Sequence, residues 1–174
     1  AATDAALAMA TARHIWDSGN IDLPYVREQT DLPILVRLDT GRFLREADLQ
    51  EGGHTKKLYM WDEKTSQPFA APGTEGSETH LLTLPDGFVP PIEGNFQVTL
   101  KNGEEVTVAP VGSILKEHLD PWTFEKAAEV TGISVEQVKR FADGFAKAER
   151  PMVLSSWGAN RYVHSDLMNR AKLL

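Results

Sequence analysis

The sequence predicts an α/β fold that carries a Gly/Pro-rich insertion containing a β-hairpin. Near both ends of the chain, apolar residues recur at helical spacing, which is typical of amphipathic helices. The segment Met152–Ser156, which begins with three apolar residues, predicts one short, buried, parallel strand flanked by these helices. Between Pro68 and Gly112 lie 12 of the 23 glycines and prolines, a density that prevents long helices and favours turns and short strands.

The composition is that of an ordinary globular chain, with room for one domain or a domain plus an insertion. Of its 174 residues, 41% are hydrophobic and 25% are charged, so a buried core is feasible. The net charge of −7 argues against nucleic acid or an anionic membrane surface as the main partner. Without cysteine, the chain supplies no disulfide, thiolate nucleophile or cysteine-held iron–sulfur cluster. Because no apolar run reaches about 18 residues, we expect no direct membrane span.

The first segment, residues 1–48, is predicted to be mainly helical. Thr3 is placed to cap the first helix, and Asp4 adds negative charge in the first turn, where the helix dipole favours it. The predicted elements are a helix over 4–18, a short helix over Leu23–Gln29 and an extended stretch over 31–37.

The middle segment, residues 49–112, is predicted to be an irregular insertion with short strands. Leu58–Trp61 and Phe69-Ala70 are predicted strands joined by a polar turn. Alternating apolar residues on both sides of Asn102-Gly103 predict a β-hairpin over 96–108, because these two residues tolerate the positive φ of tight turns. A disordered acidic loop is the alternative, and the aromatic residues of the segment argue against it.

The last segment, residues 113–174, returns to regular structure. Asp120-Pro121 predicts a helix start, and Ser134–Gln137 forms a capping box that opens the next helix. The buried face predicted for this second helix contains Val135, Val138, Phe141, Ala142 and Phe145. The predicted helices cover 122–131, 135–148 and a stretch that begins near Ser165-Asp166.

The best local signal for ligand binding is the order of strand, glycine-containing turn and helix around Gly158. A glycine at such a turn lets a ligand approach the main chain, and N–H groups at a helix start favour anions. Ser155–Arg161 adds hydroxyl, amide and guanidinium donors. The alternative is a purely structural turn, because a glycine between a strand and a helix is common. No serine stands in a G-x-S-x-G sequence, which argues against a hydrolase.

Four motifs stand in order along the chain: TDAALAMA at 3–10, YVREQTDLP at 25–33, TGIS at 131–134 and SWGANRYVHSDLMNRA at 156–171. Together they resemble molybdopterin oxidoreductases of the dimethyl-sulfoxide-reductase superfamily. The second and fourth resemble the branch that contains nitrate, selenate and chlorate reductases and ethylbenzene dehydrogenase. The resemblance runs from end to end and is weakest over 50–110.

The resemblance implies a Rossmann-like cofactor-binding domain made of 1–48 and 113–174, with 49–112 inserted. It implies molybdenum bis(molybdopterin guanine dinucleotide) as cofactor and an iron–sulfur cluster elsewhere in the full subunit. Catalytic subunits of this family are several times longer than 174 residues. We therefore expect an internal part of such a subunit, which serves oxygen-atom-transfer or hydroxylation chemistry and is not active alone.

The resemblance also implies partners and a location. The expected partners are the remainder of the catalytic subunit, an iron–sulfur electron-transfer subunit, a haem-containing subunit and a small-molecule substrate. The expected location is periplasmic, with the cytoplasmic face of the membrane as the alternative. A different function also remains open: a non-catalytic interaction domain on the same scaffold, with the acidic insertion as its docking surface.

The implied cofactor-binding residues lie in two places. In the turn, Gly158 would allow close approach to the pterin or pyrophosphate, and neighbouring side chains would supply hydrogen bonds. Asp4, with Thr3, would lie at the nucleotide end, since a carboxylate accepts from the N1–H and amino group of guanine. The complete set is Ser156, Trp157, Gly158, Ala159, Asn160, Arg161, His164, Thr3 and Asp4.

Each of these residues has a structural alternative. Helix capping alone would explain Thr3 and Asp4, core packing would explain Trp157, and a surface charge would explain Arg161. His14 is expected to be a helix residue packed against the core. No residue of this chain is assigned a catalytic or metal-ligating role, because the histidines are scattered in sequence.

Overall fold

The structure, a computed structural model, describes residues 3–79, 81, 83–154 and 165–171. It is mixed α/β, as the sequence predicts. The chain divides into two compact units, the first made of Ala1–Ile21 with Lys116–Leu174 and the second of Asp22–Leu115. The predicted segment 49–112 therefore lies inside the second unit. The assignment of 1–48 and 113–174 to a cofactor-binding domain stays a prediction.

Among the described residues, the helices are α1 (Asp4–Asp17), α2 (Leu23–Gln29), α3 (Glu46–Leu49), α4 (Val111–Leu119), α5 (Phe124–Thr131), α6 (Val135–Ala146) and α7 (Ser165–Ala171). The strands are β1 (Leu35–Arg37), β2 (Arg42–Phe43), β3 (Tyr59–Asp62), β4 (Gln67–Ala70), β5 (Phe96–Thr99) and β6 (Glu105–Pro110).

The first unit is a helical layer with small apolar side chains at its centre. Helix α1 contacts α5, α6 and α7. Ala10, Ala127 and Val138 are buried together, and Leu7 and Phe124 pack at the edge of this cluster. Alanines at the crossing points let the helices approach closely, so the burial of a few short side chains defines the packing.

The second unit is built on a four-stranded antiparallel sheet in the order β2-β1-β6-β5. Strand β6 pairs with β1 on one edge and with β5 on the other. A separate hairpin, β3–β4, places Trp61 on Phe96, with the two ring centroids 4.4 Å apart in a stacked arrangement. The core cluster of this unit contains Leu35, Leu44, Trp61, Val98, Leu100, Val106 and Val108.

Three predictions that depended on caps and turns are confirmed, those for α2, for the start of α6 and for the β5–β6 hairpin. Helix α2 covers Leu23–Gln29 as predicted. Helix α6 opens with the predicted capping box, in which Ser134 and Gln137 exchange hydrogen bonds between side chain and main chain. Gly132 ends α5 in the left-handed region at φ 76°, and Gly103 forms the turn of the β5–β6 hairpin at φ 83°.

The predicted parallel strand Met152–Ser156 is wrong over its described part. Residues 151–154 form no strand, and Ser155 and Ser156 lie outside the described residues. All strand pairs between described residues are antiparallel. An apolar run becomes a strand only where a neighbouring strand takes up its main-chain hydrogen bonds, and no described strand does so here.

The helix start predicted at Asp120-Pro121 is also wrong, because these residues end an unpredicted helix instead. The N–H of Asp120 donates to the carbonyl of Lys116 and closes the last turn of α4, after which proline cannot continue the helix. Helix α5 begins at Phe124, where the Thr123 hydroxyl accepts from the N–H of Lys126 at 3.1 Å.

Phe141 does not belong to the buried face of α6. Val138 and Ala142 form that face, whereas the side chain of Phe141 is 49% exposed. Phe141 precedes Ala142 by one residue and is therefore rotated by about 100° around the helix. Its ring lies 6.4 Å from that of Phe145, centroid to centroid.

Gly53 permits a close main-chain contact that a larger residue would break. A Cβ at this position would lie 2.4 Å from the carbonyl oxygen of Glu46, which accepts from Gln50 in the short helix α3. We expect Gly53→Ala to lower the free energy of unfolding by about 2 kcal/mol. Gly144→Ala is the matched control, since it lies in α6 with open space around it and should add up to about 1 kcal/mol. Urea unfolding of both variants checks this, and an unchanged Gly53→Ala variant contradicts it.

Candidate functional site

The structure describes two of the nine predicted cofactor-binding residues, Thr3 and Asp4. The other seven lie outside the described residues: Ser156, Trp157, Gly158, Ala159, Asn160, Arg161 and His164. Their assignment stays a prediction.

Thr3 and Asp4 stand together at the start of α1. Thr3 occupies the N-cap position, and its carbonyl oxygen accepts from the N–H of Ala6 at 3.1 Å. Its side chain makes no capping hydrogen bond, so the predicted side-chain cap is not formed. Asp4 is exposed in the first turn, where the partial positive charge of the helix terminus favours a carboxylate. A hydroxyl and a carboxylate are thus placed side by side at one helix end.

A cleft of about 300 Å³ opens in the first unit between α1 and the start of α5. Its lining combines two aromatic rings with charged and polar groups from both elements. The residues are Ala10, Arg13, His14, Asp17, Trp122, Thr123, Phe124 and Glu125.

His14 connects α1 to α6 at this cleft. Its Nε2 lies 2.8 Å from Oδ1 of Asp143, and its ring centroid is 5.3 Å from that of Phe124. The side chain is 21% exposed, which agrees with the expectation of a helix residue packed against the core. The partnership with Asp143 could not be predicted, because no sequence periodicity links two residues on different helices.

The charged groups of the cleft are engaged with one another and with main-chain atoms. The Nε of Arg13 lies 3.3 Å from Oδ2 of Asp17, and its guanidinium also donates to the carbonyl of Asp120. The pKa of Glu125 is lowered, first by its own main-chain N–H, then by the Thr123 hydroxyl, with a smaller contribution from Arg13. The bond from Arg13 to Asp120 links α1 to the segment before α5, whereas the other hydrogen bonds lie within one element. None of these interactions indicates a catalytic role for a described residue of the cleft.

In the second unit, an ion network surrounds Glu46. Its carboxylate accepts from Nζ of Lys57 at 2.7 Å, from the N–H of His54 at 2.9 Å and from the hydroxyl of Tyr59 at 3.4 Å. These hydrogen bonds, with Lys57 contributing most, hold the pKa of Glu46 below its ordinary range. Burial raises the pKa of Tyr59. The network connects α3 to β3 and is structural in character.

No group of three or more His, Asp or Glu is placed to hold a metal ion within the part of the chain that the structure describes. The same holds for membrane spans: none of the described helices is both long and apolar enough to cross a bilayer.

A second cavity, of about 240 Å³, lies beside β1 and β2 and is lined by Val36, Gly41, Arg42, Phe43 and Arg45.

Comparison with known proteins finds no matching family model, but it finds close relatives. The chain is 35% identical to perchlorate reductase subunit alpha of Dechloromonas aromatica, over 97% of the chain and 20% of that relative. It is 35% identical to dimethylsulfide dehydrogenase subunit alpha of Rhodovulum sulfidophilum, over 91% of the chain and 17% of that relative. It is 33% identical to chlorate reductase subunit alpha of Ideonella dechloratans, over 99% of the chain and 18% of that relative.

The chain belongs to the molybdopterin oxidoreductases of the dimethyl-sulfoxide-reductase superfamily. Its relatives there are alpha subunits of perchlorate, chlorate and nitrate reductases and of dimethylsulfide dehydrogenase. The chain spans about a fifth of the length of the curated relatives it matches. The family that the sequence motifs indicate is thereby confirmed.

The His14–Asp143 pair should contribute a small, measurable coupling between α1 and α6. Both side chains are partly exposed, so we expect about 0.5 kcal/mol of interaction free energy in a double-mutant cycle of His14→Ala and Asp143→Ala. His14→Ala alone should cost more, because it also removes the contact with Phe124. Chemical denaturation of the four proteins measures both quantities, and strictly additive single effects contradict the pairing.

The lowered pKa of Glu46 predicts an acid-sensitive contribution to stability. A carboxylate whose pKa is lowered by folding stabilises the protein above its unfolded pKa, and the contribution is lost as the pH falls through the folded pKa. The parent should therefore lose stability below about pH 4.3, and Glu46→Gln should lose less over the same range. Thermal melts from pH 7 to pH 3 test this. Parallel curves for the parent and the variant would refute the assignment.

Proposed function

We propose that this chain is part of the catalytic subunit of a molybdenum bis(molybdopterin guanine dinucleotide) oxidoreductase and helps to bind its pterin cofactor. The observation that carries the proposal is an identity of 32–35% to four reductase or dehydrogenase alpha subunits over 91–99% of the chain. Similarity that extends along the whole chain supports a shared role for the whole segment. On this proposal the chain is not active by itself.

The described residues at the start of α1 suit one end of such a cofactor. Guanine presents the N1–H and an amino group as donors, and the carboxylate of Asp4 is an acceptor for both. Thr3, whose side chain makes no capping bond, adds a hydroxyl that both donates and accepts. A donor and acceptor set of this kind fits a guanine nucleotide, so Thr3 and Asp4 are the residues that would hold its base.

The turn around Gly158 would hold the pterin or pyrophosphate region. Gly158 would allow the cofactor to approach the main chain, and Ser156 and Asn160 would offer neutral hydrogen bonds. Trp157 would pack on a ring, with Ala159 beside it. Arg161 and His164 would lie nearer the reacting end. These assignments follow from the sequence motif at 156–171.

The cofactor, when bound, supplies oxygen-atom-transfer or hydroxylation redox chemistry, and the chain contributes binding and orientation. The surrounding fold would be Rossmann-like, completed by the rest of the subunit. An iron–sulfur cluster elsewhere in that subunit, a separate iron–sulfur subunit and a haem-containing subunit would carry electrons. The substrate would be a small molecule, and the proposed location is the periplasm.

Substitution of the turn glycine tests the proposed cofactor contact. In the full-length subunit, Gly158→Val should lower the molybdenum and pterin content at least several-fold, because the added side chain occupies the space through which a cofactor would approach. Gly144→Val is the matched control, since Gly144 lies in α6 with nothing within 4 Å of an added Cβ. Metal analysis and fluorescence of the extracted, oxidised pterin measure occupancy, and circular dichroism checks folding.

Two outcomes would overturn the proposal in different ways. A Gly158→Val subunit with full molybdenum and pterin content makes the turn structural. A parent subunit whose denatured extract contains neither pterin nor guanine nucleotide removes the cofactor-binding role altogether.

The second candidate function, a docking surface for a basic partner, draws on the distribution of charge. The segment Asp22–Leu115 contains 15 acidic and 8 basic residues, and therefore the entire net charge of −7. The remaining residues contain 10 of each sign. Such segregation favours association with a positively charged surface. Absence of the cofactor from the extract, with salt-sensitive binding of a basic protein, would favour this candidate over the first.

A further inference from the structure

The cavity of about 240 Å³ beside β1 and β2 combines two arginines with an apolar surface. Arg42 and Arg45 line it together with Gly41, Val36 and Phe43. Because water occupies about 30 Å³ per molecule in the liquid, the cavity has room for a ligand of several non-hydrogen atoms. Its lining therefore offers positive charge next to apolar side chains.

Arg42 differs from every other lysine and arginine in the described part of the second unit. Its side chain makes no hydrogen bond or ion pair with another described residue, although the unit contains 15 acidic residues. The other basic side chains contact carboxylates, as in Arg37, Lys56, Lys57 and Lys101, or donate to main-chain carbonyls, as in Arg27, Arg45 and Lys64. A guanidinium without a partner in so acidic a unit indicates an anion that comes from outside it.

The carboxylates nearest to Arg42 in the sequence are committed to Arg37. Arg37 stands directly opposite Arg42 across the β1–β2 pair, and its guanidinium contacts Asp39 at 2.6 Å and Asp48 at 2.8 Å. The hydrogen bond from Asp39 is the main reason why the pKa of Arg37 is raised. Like charges opposite each other on paired strands are unfavourable. Arg37, Arg42 and Arg45 outnumber these two aspartates by one charge, which a bound anion would offset.

Arg45 is held in place by contacts of its main chain and its side chain. Its N–H donates to Oδ2 of Asp48 at 2.9 Å, and its guanidinium donates to the carbonyl of Thr55. It also forms an isolated antiparallel bridge with Leu58. A guanidinium has several N–H donors, and a described residue uses only one of those on Arg45. A side chain that is already anchored loses less conformational entropy when it binds a ligand.

We propose that this cavity binds the phosphate group of a small molecule and that Arg42 and Arg45 hold it. Guanidinium groups bind phosphate oxygens through paired, charge-assisted hydrogen bonds. A phosphate dianion balances two guanidinium charges, whereas a carboxylate balances one. Free phosphate and a phosphate ester share this chemistry, and Val36 and Phe43 favour an ester with an apolar organic part. The inference goes beyond the proposed function, because no residue assigned to the cofactor lines the cavity.

Titration calorimetry of the full-length subunit with three probes tests the ligand chemistry. We expect phenyl phosphate to bind most tightly, inorganic phosphate more weakly and benzoate least. Equal affinity for phenyl phosphate and inorganic phosphate would support the site and identify the free ion as its ligand. Benzoate that binds as tightly as phenyl phosphate would overturn the assignment to phosphate, and so would the absence of binding by both phosphates.

Substitution of the arginines tests the location of the site. Arg42→Ala and Arg45→Ala should each weaken phenyl phosphate binding at least about tenfold, because each removes charge-assisted hydrogen bonds. Arg42→Lys keeps the charge but loses the planar fork, so it should lose less. Lys126→Ala, in α5 and outside the cavity lining, is the control for net charge and should stay within about twofold of the parent. Because Arg42 is exposed and has no described partner, Arg42→Ala should melt like the parent.

The remaining outcomes separate this site from a general charge effect and from the cofactor. Parental affinity in Arg42→Ala contradicts the proposal, and equal weakening by Arg42→Ala and Lys126→Ala reduces it to non-specific attraction. The molybdenum and pterin content of Arg42→Ala should match the parent, since a several-fold loss would make Arg42 a cofactor contact and overturn a separate site. Arginine-dependent phosphate binding in a subunit without pterin supports this inference and removes the proposed function.

Discussion

The structure depends first on the need of every extended apolar segment for main-chain partners on its edges. Strand β6 meets this need completely, because it pairs with β1 and β5 on its two sides and carries Val108 into the core at full burial. Leu35, on β1, is equally buried. Because the sheet satisfies its own hydrogen bonds, the second unit places a continuous apolar cluster against it, and the Trp61–Phe96 stack is part of that cluster.

In the first unit, main-chain groups form their hydrogen bonds within each helix, so the sequence must supply helix caps and not neighbouring strands. Helices satisfy their main-chain groups internally except at their ends, where caps are needed. Thr123, Ser134 and Gly132 provide these caps, so a core as small as Ala10, Ala127 and Val138 is enough to define the packing. The His14–Asp143 pair adds a polar contact between α1 and α6 beside this core. Residues 151–154 form neither a helix nor a strand, and no main-chain hydrogen bond links them to other described residues.

The features that could be predicted from the sequence depend on neighbouring residues, and those that could not depend on packing between elements. Caps, turns and hairpins depend on neighbouring residues, and the predictions for α2, α6 and the Asn102-Gly103 hairpin are confirmed. The prediction at Pro121 was wrong because proline is common both just after the end of a helix and in the first turn of a helix. Helix α4, which ends at Leu119, was not predicted, so the sequence did not distinguish the two positions. The pairing of His14 with Asp143 depends on helix packing, which single-sequence periodicity does not contain. The sequence motifs were enough to identify the family. Of the nine residues predicted to bind the cofactor, the structure describes only Thr3 and Asp4, so the rest of the site stays a prediction.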